Sequence, residues 1–362
     1  MANMAQAIRM ALHIGEEHLG VKDIFGQDVG APLGGVFTAT QGLKTTWNAP
    51  LDERGIIGCA IGIALAGDVC VAEVQFCDYI FNTIDLLKIA GNTHWVSNGN
   101  YNLPMVVMTP TGAGIHGSIY HSHSFDAWAT RLTGWKIVMP STPLDAFGLM
   151  LSAIEDPNPV LFLKPKALLR VRGEELLPGE PADERELKAM IDAPIGDRAK
   201  WRPRWPKLDE SFRVPIGKAK ITRAVDLGSD ASSKHASATL VSYGRTVHFC
   251  NRAADELLAE GFAVEVIDLR SLYPYDWQTV RESVIKTGRV MFVNEDTEVT
   301  NFGEHLAYRT ANELLYHLLA RPRVLAGKNV PGVGLHPNLE EVSVPQQSEI
   351  VRELREMLAE VP

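Results

Sequence analysis

Between Asn48 and Tyr79 the chain reads NAPLDERGIIGCAIGIALAGDVCVAEVQFCDY, and few folds accommodate such a stretch. Gly58, Gly62 and Ala66 recur every four residues in the run from Gly55 to Gly67. On a helix that spacing strips one face to bare backbone and lets a second helix come close. The run falls short of the roughly twenty apolar residues that a membrane span needs, so it reads as a core or subunit-interface helix. Asp52 is placed to cap it, which puts Glu53 in the first turn, where unpaired amides and the helix dipole favour a carboxylate. Glu53 is therefore either a helix-start charge or a placed acid. Val69 to Phe76 is apolar and rich in valine, with little alternation, as expected of a strand covered on both faces in a parallel sheet. Ligands of such sheets bind at element edges, where Glu53 sits.

The rest of the chain continues the alternation of strand and helix. Met1 to Leu19 reads as an amphipathic helix, without the apolar run of a secretory signal or the Arg and Ser bias of a transit peptide, and a cytoplasmic protein is expected. Asp23 to Gly30 is a short strand entering a turn. Tyr79 to Ala90 has helical spacing and meets Gly91, a natural stop. Strands follow at Pro104 to Thr109, closed by Pro110, at Trp135 to Met139 and at Val160 to Lys164. Ser141 or Thr142, with Pro143, opens a helix running to about Glu155. The pattern resumes with strands at Thr239 to Tyr243, Val264 to Leu269 and Val290 to Asn294. Helices separate them over Val247 to Glu260, Asp276 to Ile285 and Gly303 to Leu319. Two α/β domains are predicted, each a parallel sheet between two helical layers.

From Arg172 to Arg213 the pattern fails in a charged, proline-broken stretch that reads as a linker or surface insertion. The domains are accordingly placed at 1–171 and 214–362, with 172–213 between them. Within the insertion, Trp201-Arg202-Pro203-Arg204-Trp205 suggests docking onto the protein itself or a partner. Acidic surroundings and a net charge of −9 argue against nucleic acid or an anionic membrane. Cys59, Cys70, Cys77 and Cys250 show no C-x-x-C spacing and read as reduced, buried small hydrophobes.

The loop Thr111 to Ser124, TGAGIHGSIYHSHS, carries His116, His121 and His123. Zinc would need a fourth ligand group that is not nearby, so acid or base work by one imidazole is the better reading. GAGIHG fits G-x-G-x-x-G, yet a polar YHSHS follows it where a dinucleotide fold needs an apolar helix. Neither a G-x-S-x-G elbow nor a P-loop occurs, which removes the usual anchors of hydrolases and nucleotide triphosphatases.

FGQDVG at Phe25 to Gly30, PLDERGIIGCAIGIALAG at Pro50 to Gly67, VAEVQFCDYIF at Val71 to Phe81 and YHSHS at Tyr120 to Ser124 coincide, in order, with one family. PSTPLDAFGLMLSAIEDPNPVLF at Pro140 to Phe162, VEVIDLRSLYPYD at Val264 to Asp276 and SVIKTGR at Ser283 to Arg289 extend the match. The chain resembles the beta subunit of thiamine-diphosphate-dependent 2-oxo acid dehydrogenases, the decarboxylating first component of the pyruvate and branched-chain complexes. The resemblance implies a transketolase-like pyrimidine-binding domain followed by a transketolase C-terminal domain. It assigns Glu53 to a ring nitrogen of the cofactor's aminopyrimidine, favouring the tautomer that removes the thiazolium C2 proton. It also assigns Tyr79 to stacking on that ring, Gln75 to a neighbouring contact, and His121 to the substrate and to acyl transfer onto lipoamide.

The resemblance further implies a structural potassium ion held by carbonyls near Leu103, Met105, Val106, Ala153 and Asp156. Thiamine diphosphate enzymes bind the diphosphate and magnesium through a G-D-G motif. Gly67-Asp68-Val69 breaks it here, so an alpha subunit is expected to supply that half in a tetramer of two alpha and two beta chains. A lipoyl-bearing acyltransferase is the further partner implied. Gln27, Thr109 and His123 depart from the usual Glu, Arg and Gln, which leaves the substrate open among branched-chain 2-oxo acids, pyruvate and acetoin. A noncatalytic scaffold would not need Glu53, Tyr79 and His121.

Overall fold

The computed structural model describes residues 1–194, 201–228 and 234–360. The chain divides into two compact units: Met1–Thr111 with Arg131–Ile216, and Gly112–Thr130 with the chain from Gly217 onward. This division differs from the one read in sequence, because the glycine- and histidine-rich loop groups with the second unit and 172–213 with the first.

In the first unit β1 (Val21–Gly26), β2 (Thr46–Asn48), β3 (Val69–Glu73), β4 (Met105–Thr111), β5 (Lys136–Val138) and β6 (Val160–Pro165) lie in the order β5-β6-β4-β3-β1-β2. Every pairing among them is parallel. β4 and β6 are buried along their whole length, which is why their sequences are unbroken apolar runs. Pro110, expected to end β4, lies inside it. β3 pairs with β4 only as far as Met108, so beyond that point a missing N–H on the β3 side forfeits no ladder bond.

Helices Met4–His18 and Pro143–Ile154 cover one face of this sheet and supply most of its core. Thr142 opens the second of them, its hydroxyl accepting from the Asp145 amide with Pro143 in the first turn. The first helix is buried almost all round, rather than on one face as an amphipathic pattern predicts. Its polar side is covered by the segment read as linker or insertion. Asp192 accepts from Arg9 at 2.5 Å and from Gln6 at 2.9 Å, and Trp205 stacks on His13 at 4.2 Å between ring centres. Leu177, Leu187 and Ile191 join the core. Residues 195–200 of that segment lie outside the described residues. Burial lowers the Arg9 guanidinium from its ordinary pKa, with Asp192 opposing the shift.

The opposite face carries helices Glu53–Leu65 and Ile84–Val96. The second runs straight through Gly91, the residue expected to stop it. Gly91 is needed for packing: its Cα faces the Thr133 carbonyl and the backbone of Gly134, where a Cβ has no room. Helix Glu53–Leu65 buries Ile56, Ile57, Ala60 and Ala64 and leaves Gly58, Cys59, Gly62 and Leu65 in the open. Cys59, expected to be buried, is thus exposed, while Cys70, Cys77 and Cys250 are inside. Burial pushes the Cys70 and Cys250 thiols up to about 12.

In the second unit β7 (Lys220–Arg223), β8 (Ser237–Ser242), β9 (Ala263–Asp268), a short β10 (Ser271–Tyr273), β11 (Val290–Thr297) and β12 (Arg323–Gly327) follow in the chain. The sheet runs β12-β11-β8-β9-β7, with β7 alone antiparallel. Helices Thr246–Leu258 and Gln347–Ala359 pack on it around Leu240, Val266, Met291 and Leu354. The helix expected over Gly303 to Leu319 ends at Leu314 and tightens into one 3₁₀ turn, Leu315–His317. Among the described residues, no helix is long and apolar enough to cross a membrane.

Candidate functional site

Helix Glu53–Leu65 begins without the side-chain cap expected of Asp52. Asp52 holds the N-cap position, but only its carbonyl engages the helix, accepting from the Ile56 amide at 2.9 Å. Glu53 is half-buried in the first turn, and its Oε2 accepts from Asn82 Nδ2 at 3.3 Å. Beside it, Arg54 grips both Asp85 oxygens, at 2.6 and 2.9 Å, and donates to the Asn82 carbonyl at 2.8 Å. These bonds tie the 82–85 segment to the helix start. The guanidinium also holds the Asp85 carboxyl down at about 2.

Tyr79 leaves the short helix Cys77–Ile80 and is half-buried, edge-on to Phe76 with ring centres 6.0 Å apart. Burial first, then the charges of Asp78 and Glu53, raise its phenol above the ordinary range. Tyr79 and Glu53 therefore lie in each other's field, as the resemblance requires of a ring-stacking residue and a ring-nitrogen acid. Gln75 lies two residues beyond the end of β3 and not on it; its Nε2 donates to the Gln27 carbonyl. All three sit past the carboxyl ends of parallel strands, where α/β sheets bind ligands. A half-buried aromatic beside a carboxylate suits an aminopyrimidine, which offers a flat face and ring nitrogens.

The histidine loop belongs to the second unit. His121 closes the 3₁₀ turn Ser118–Tyr120, and its Nδ1 meets the Gly117 carbonyl at 3.2 Å, which makes Nδ1 the donor and Nε2 the basic nitrogen. His116 is differently engaged: its Nδ1 pairs with Glu340 Oε2 at 2.5 Å. Buried Glu340 also accepts from the amides of Gly114 and His116. His123 contributes its carbonyl to the Gly112 amide at 2.9 Å. Among the described residues, the cluster with metal-ligand spacing is His13, Glu16 and Glu17, not the loop histidines. Those carboxylates already accept from Lys44 and Thr45.

Sequence reasoning missed four acids of this unit. Asp296 Oδ2 accepts from the Ala127 amide at 2.9 Å, and Glu295 pairs with Arg245. Asp126 is buried against them. Burial, then the charges of Asp296 and Glu295, hold its carboxyl well above the usual range. The only signal for these residues was an adjacent Glu-Asp pair at a strand end, which is common on surfaces. Glu340 gave none.

The carbonyl set assigned to potassium is partly engaged. Leu103 O accepts from the Met105 amide at 2.8 Å and Ala153 O from the Asp156 amide at 3.3 Å. Met105 and Val106 lie in β4, and Lys136 pairs with the Asp156 carboxylate. These residues fit a monovalent ion only through second lone pairs.

Two family models match the chain. The family model described as "Transketolase, pyrimidine binding domain" matches residues 2–172, and "Transketolase, C-terminal domain" matches residues 230–350. The chain is 34% identical to the 2-oxoisovalerate dehydrogenase subunit beta of Bacillus subtilis over 92% of its own length and 91% of that protein's. It is 36% identical to the subunit of the same name from Pseudomonas aeruginosa, over 93% and 89%. To the pyruvate dehydrogenase E1 component subunit beta of Rhizobium meliloti it is 34% identical, over 97% and 69%. A solved split gene transketolase, an inactive beta4 tetramer, superimposes with a TM-score of 0.67 at 16% identity over 99% of this chain and 98% of that one, and shares the fold.

Proposed function

This chain belongs to the family of beta subunits of 2-oxo acid dehydrogenases, and we propose on that premise that it forms half of a thiamine-diphosphate site completed by an alpha subunit. The observation that carries the reading is Glu53 at the sheet edge, bonded through Asn82 to the segment that carries Tyr79, in a chain with no G-D-G motif. When bound, the cofactor supplies the nucleophilic carbon that attacks the 2-oxo group and the electron sink for decarboxylation.

Glu53 holds a proton at the pyrimidine ring nitrogen, and Tyr79 orients the ring by stacking. Gln75, its amide turned to Gln27, borders that contact. His121 serves the substrate and the transfer of its acyl group to a lipoyl acceptor, with Nε2 as the basic atom. The finer parts of the proposal are the two-alpha two-beta assembly, magnesium held by the alpha chain, a lipoyl-bearing acyltransferase as acceptor, and a cytoplasmic location. A monovalent ion at the Leu103 to Asp156 carbonyls would be structural, and no step depends on it. Two relatives named for 2-oxoisovalerate support a branched-chain acid as substrate. A partner chain is the proposed cover for Gly58 and Gly62, where an added Cβ meets nothing within 4 Å, and for Trp95, 86% exposed on the neighbouring helix.

The deciding experiment is reductive acylation of a lipoyl domain by the chain co-expressed with a G-D-G-bearing partner, with 2-oxoisovalerate, pyruvate and acetoin compared. Turnover is expected with the pair, best with 2-oxoisovalerate, and none with the chain alone. In calorimetry the isolated chain should bind thiamine diphosphate more weakly than about −8 kcal/mol, the free energy of micromolar affinity. Submicromolar binding by the chain alone would refute the shared site.

In the same assay His121→Ala should cost on the order of a hundredfold in rate, as loss of a positioned acid or base does. His116→Ala should cost far less, because that imidazole is committed to Glu340. Cofactor affinity should survive both changes. Equal rates for the two variants would remove His121 from the chemistry and make His123 the next residue to test.

A further inference from the structure

His121 stands on a loop whose backbone takes up conformations that side chains disfavour. His116 and Ser118, on either side of Gly117, have φ of 55° and 60°, in the left-handed region. A side chain there costs free energy and persists where surrounding contacts hold it, a pattern that gathers at functional sites. Gly117 lies close to the imidazole. Its carbonyl meets His121 Nδ1 at 3.2 Å, and an added Cβ would stand 2.7 Å from His121 Cβ. The turn at 116–118 therefore bears directly on where the ring points.

What grips this turn comes from far along the chain, within the same unit. After β12 the chain makes an excursion, 328–343, closed at its ends by the Lys328 amide, which donates to the Ser343 carbonyl at 2.8 Å. Its last part is the helix Pro337–Ser343, which carries Glu340. Glu340 is 3% exposed and uses both carboxylate oxygens on the loop. Oε1 accepts from the Gly114 amide, and Oε2 from the His116 amide at 2.9 Å while pairing with the His116 ring at 2.5 Å. The excursion touches the loop again at Gly332, where an added Cβ would stand 2.5 Å from Ile119 Cγ2. Ile119 belongs to the 3₁₀ turn that His121 closes. A buried carboxylate is tolerated only while it is hydrogen-bonded, and its bonds are roughly twice as strong as neutral ones. Loosening the loop would strand Glu340 in the interior.

We propose that Glu340 is a positioning residue for His121. It clamps the backbone at Gly114 and His116, holds His116 and Ser118 in the left-handed region, and so keeps the Gly117 carbonyl where it orients the imidazole. The excursion 328–343 is the frame that carries the clamp. The His116 ring is its lesser part, since His116→Ala keeps both amide bonds. This inference rests on the assignment of His121 to acyl transfer. Glu53 and Tyr79 belong to the first unit, so the proton chemistry assigned to them does not depend on the clamp.

The enzyme assembled with its G-D-G-bearing partner separates the two steps. Glu340→Gln keeps the size of the side chain but turns an NH2 group towards one of the two amides, setting donor against donor. Acylation of a lipoyl domain should fall about tenfold in this variant, as loss of a charge-assisted bond predicts. Exchange of the cofactor's C2 proton should stay at the wild-type rate. Gly332→Ala, which presses on Ile119 and leaves Glu340 untouched, should lower acylation in the same selective way, and adding Ile119→Ala should restore it. Wild-type acylation in Glu340→Gln, with His121→Ala slow, overturns this proposal alone. Wild-type acylation in both variants removes His121 from the chemistry and this proposal with it. A parallel fall in C2 exchange and acylation would show a general structural defect and overturn the positioning role. Should Glu340→Gln fail to assemble, the Gly332→Ala and Ile119→Ala pair decides, and the refuting result is no selective loss or no recovery.

Discussion

Glu53→Gln is expected to leave folding and assembly intact and to slow exchange of the cofactor's C2 proton in the assembled enzyme by about a hundredfold to ten-thousandfold, the range spanned by a positioned acid or base. The amide keeps the size of the side chain and the contact with Asn82, whose Nδ2 reaches Glu53 Oε2 at 3.3 Å. What it loses is the capacity to hold a proton on a ring nitrogen. The helix itself should notice little, because a half-exposed first-turn charge contributes about 0.3–1 kcal/mol. Exchange followed by quenched-flow NMR is the readout. A rate within a factor of two of wild type would return Glu53 to a helix-start charge, and the site would then lack its acid.

Lys164→Met should destabilise the first unit by about 3–5 kcal/mol, since it strands a charge in the interior. Lys164 and Glu73 are both fully buried and pair across the ends of β6 and β3. Glu73 also accepts from the Val36 amide at 2.9 Å, so the carboxylate serves two groups at once. Adding Glu73→Gln should recover much of the loss, because a neutral amide still accepts from Val36 and leaves no unpaired charge. Urea denaturation of the wild type and the two variants gives the comparison. A cost below about 1 kcal/mol for Lys164→Met would mean that water or rearrangement relieves the carboxylate.

What could be read in the sequence follows from how much of each signal is local. β3, β4 and β6 were legible because strands buried on both faces must be apolar throughout. The cap at Thr142 was legible because hydroxyl and proline act on their own turn. Gly91 was misread for the same reason: locally it is a helix breaker, and only the fold brings Gly134 against it. Cys59 looked buried because a glycine face can serve a core or an interface, and periodicity does not distinguish them. Glu53, Tyr79 and His121 were assigned through family motifs, and their residue types alone are ordinary. Glu340 and Asp126 were missed because a buried acid's surroundings depend on partners far along the chain, such as Gly114 for Glu340.

The strap over the first helix carries a consequence for biosynthesis. Met4–His18 leaves the ribosome well before its cover, because the partner of Arg9 is Asp192, 183 positions later. At roughly 5–20 residues per second, on the order of ten to forty seconds pass before that carboxylate exists. During that interval a guanidinium destined for the interior, and the apolar residues around it, have no final place. This helix is thus translated long before it is completed, and a chaperone meeting the nascent chain would find its client surface there.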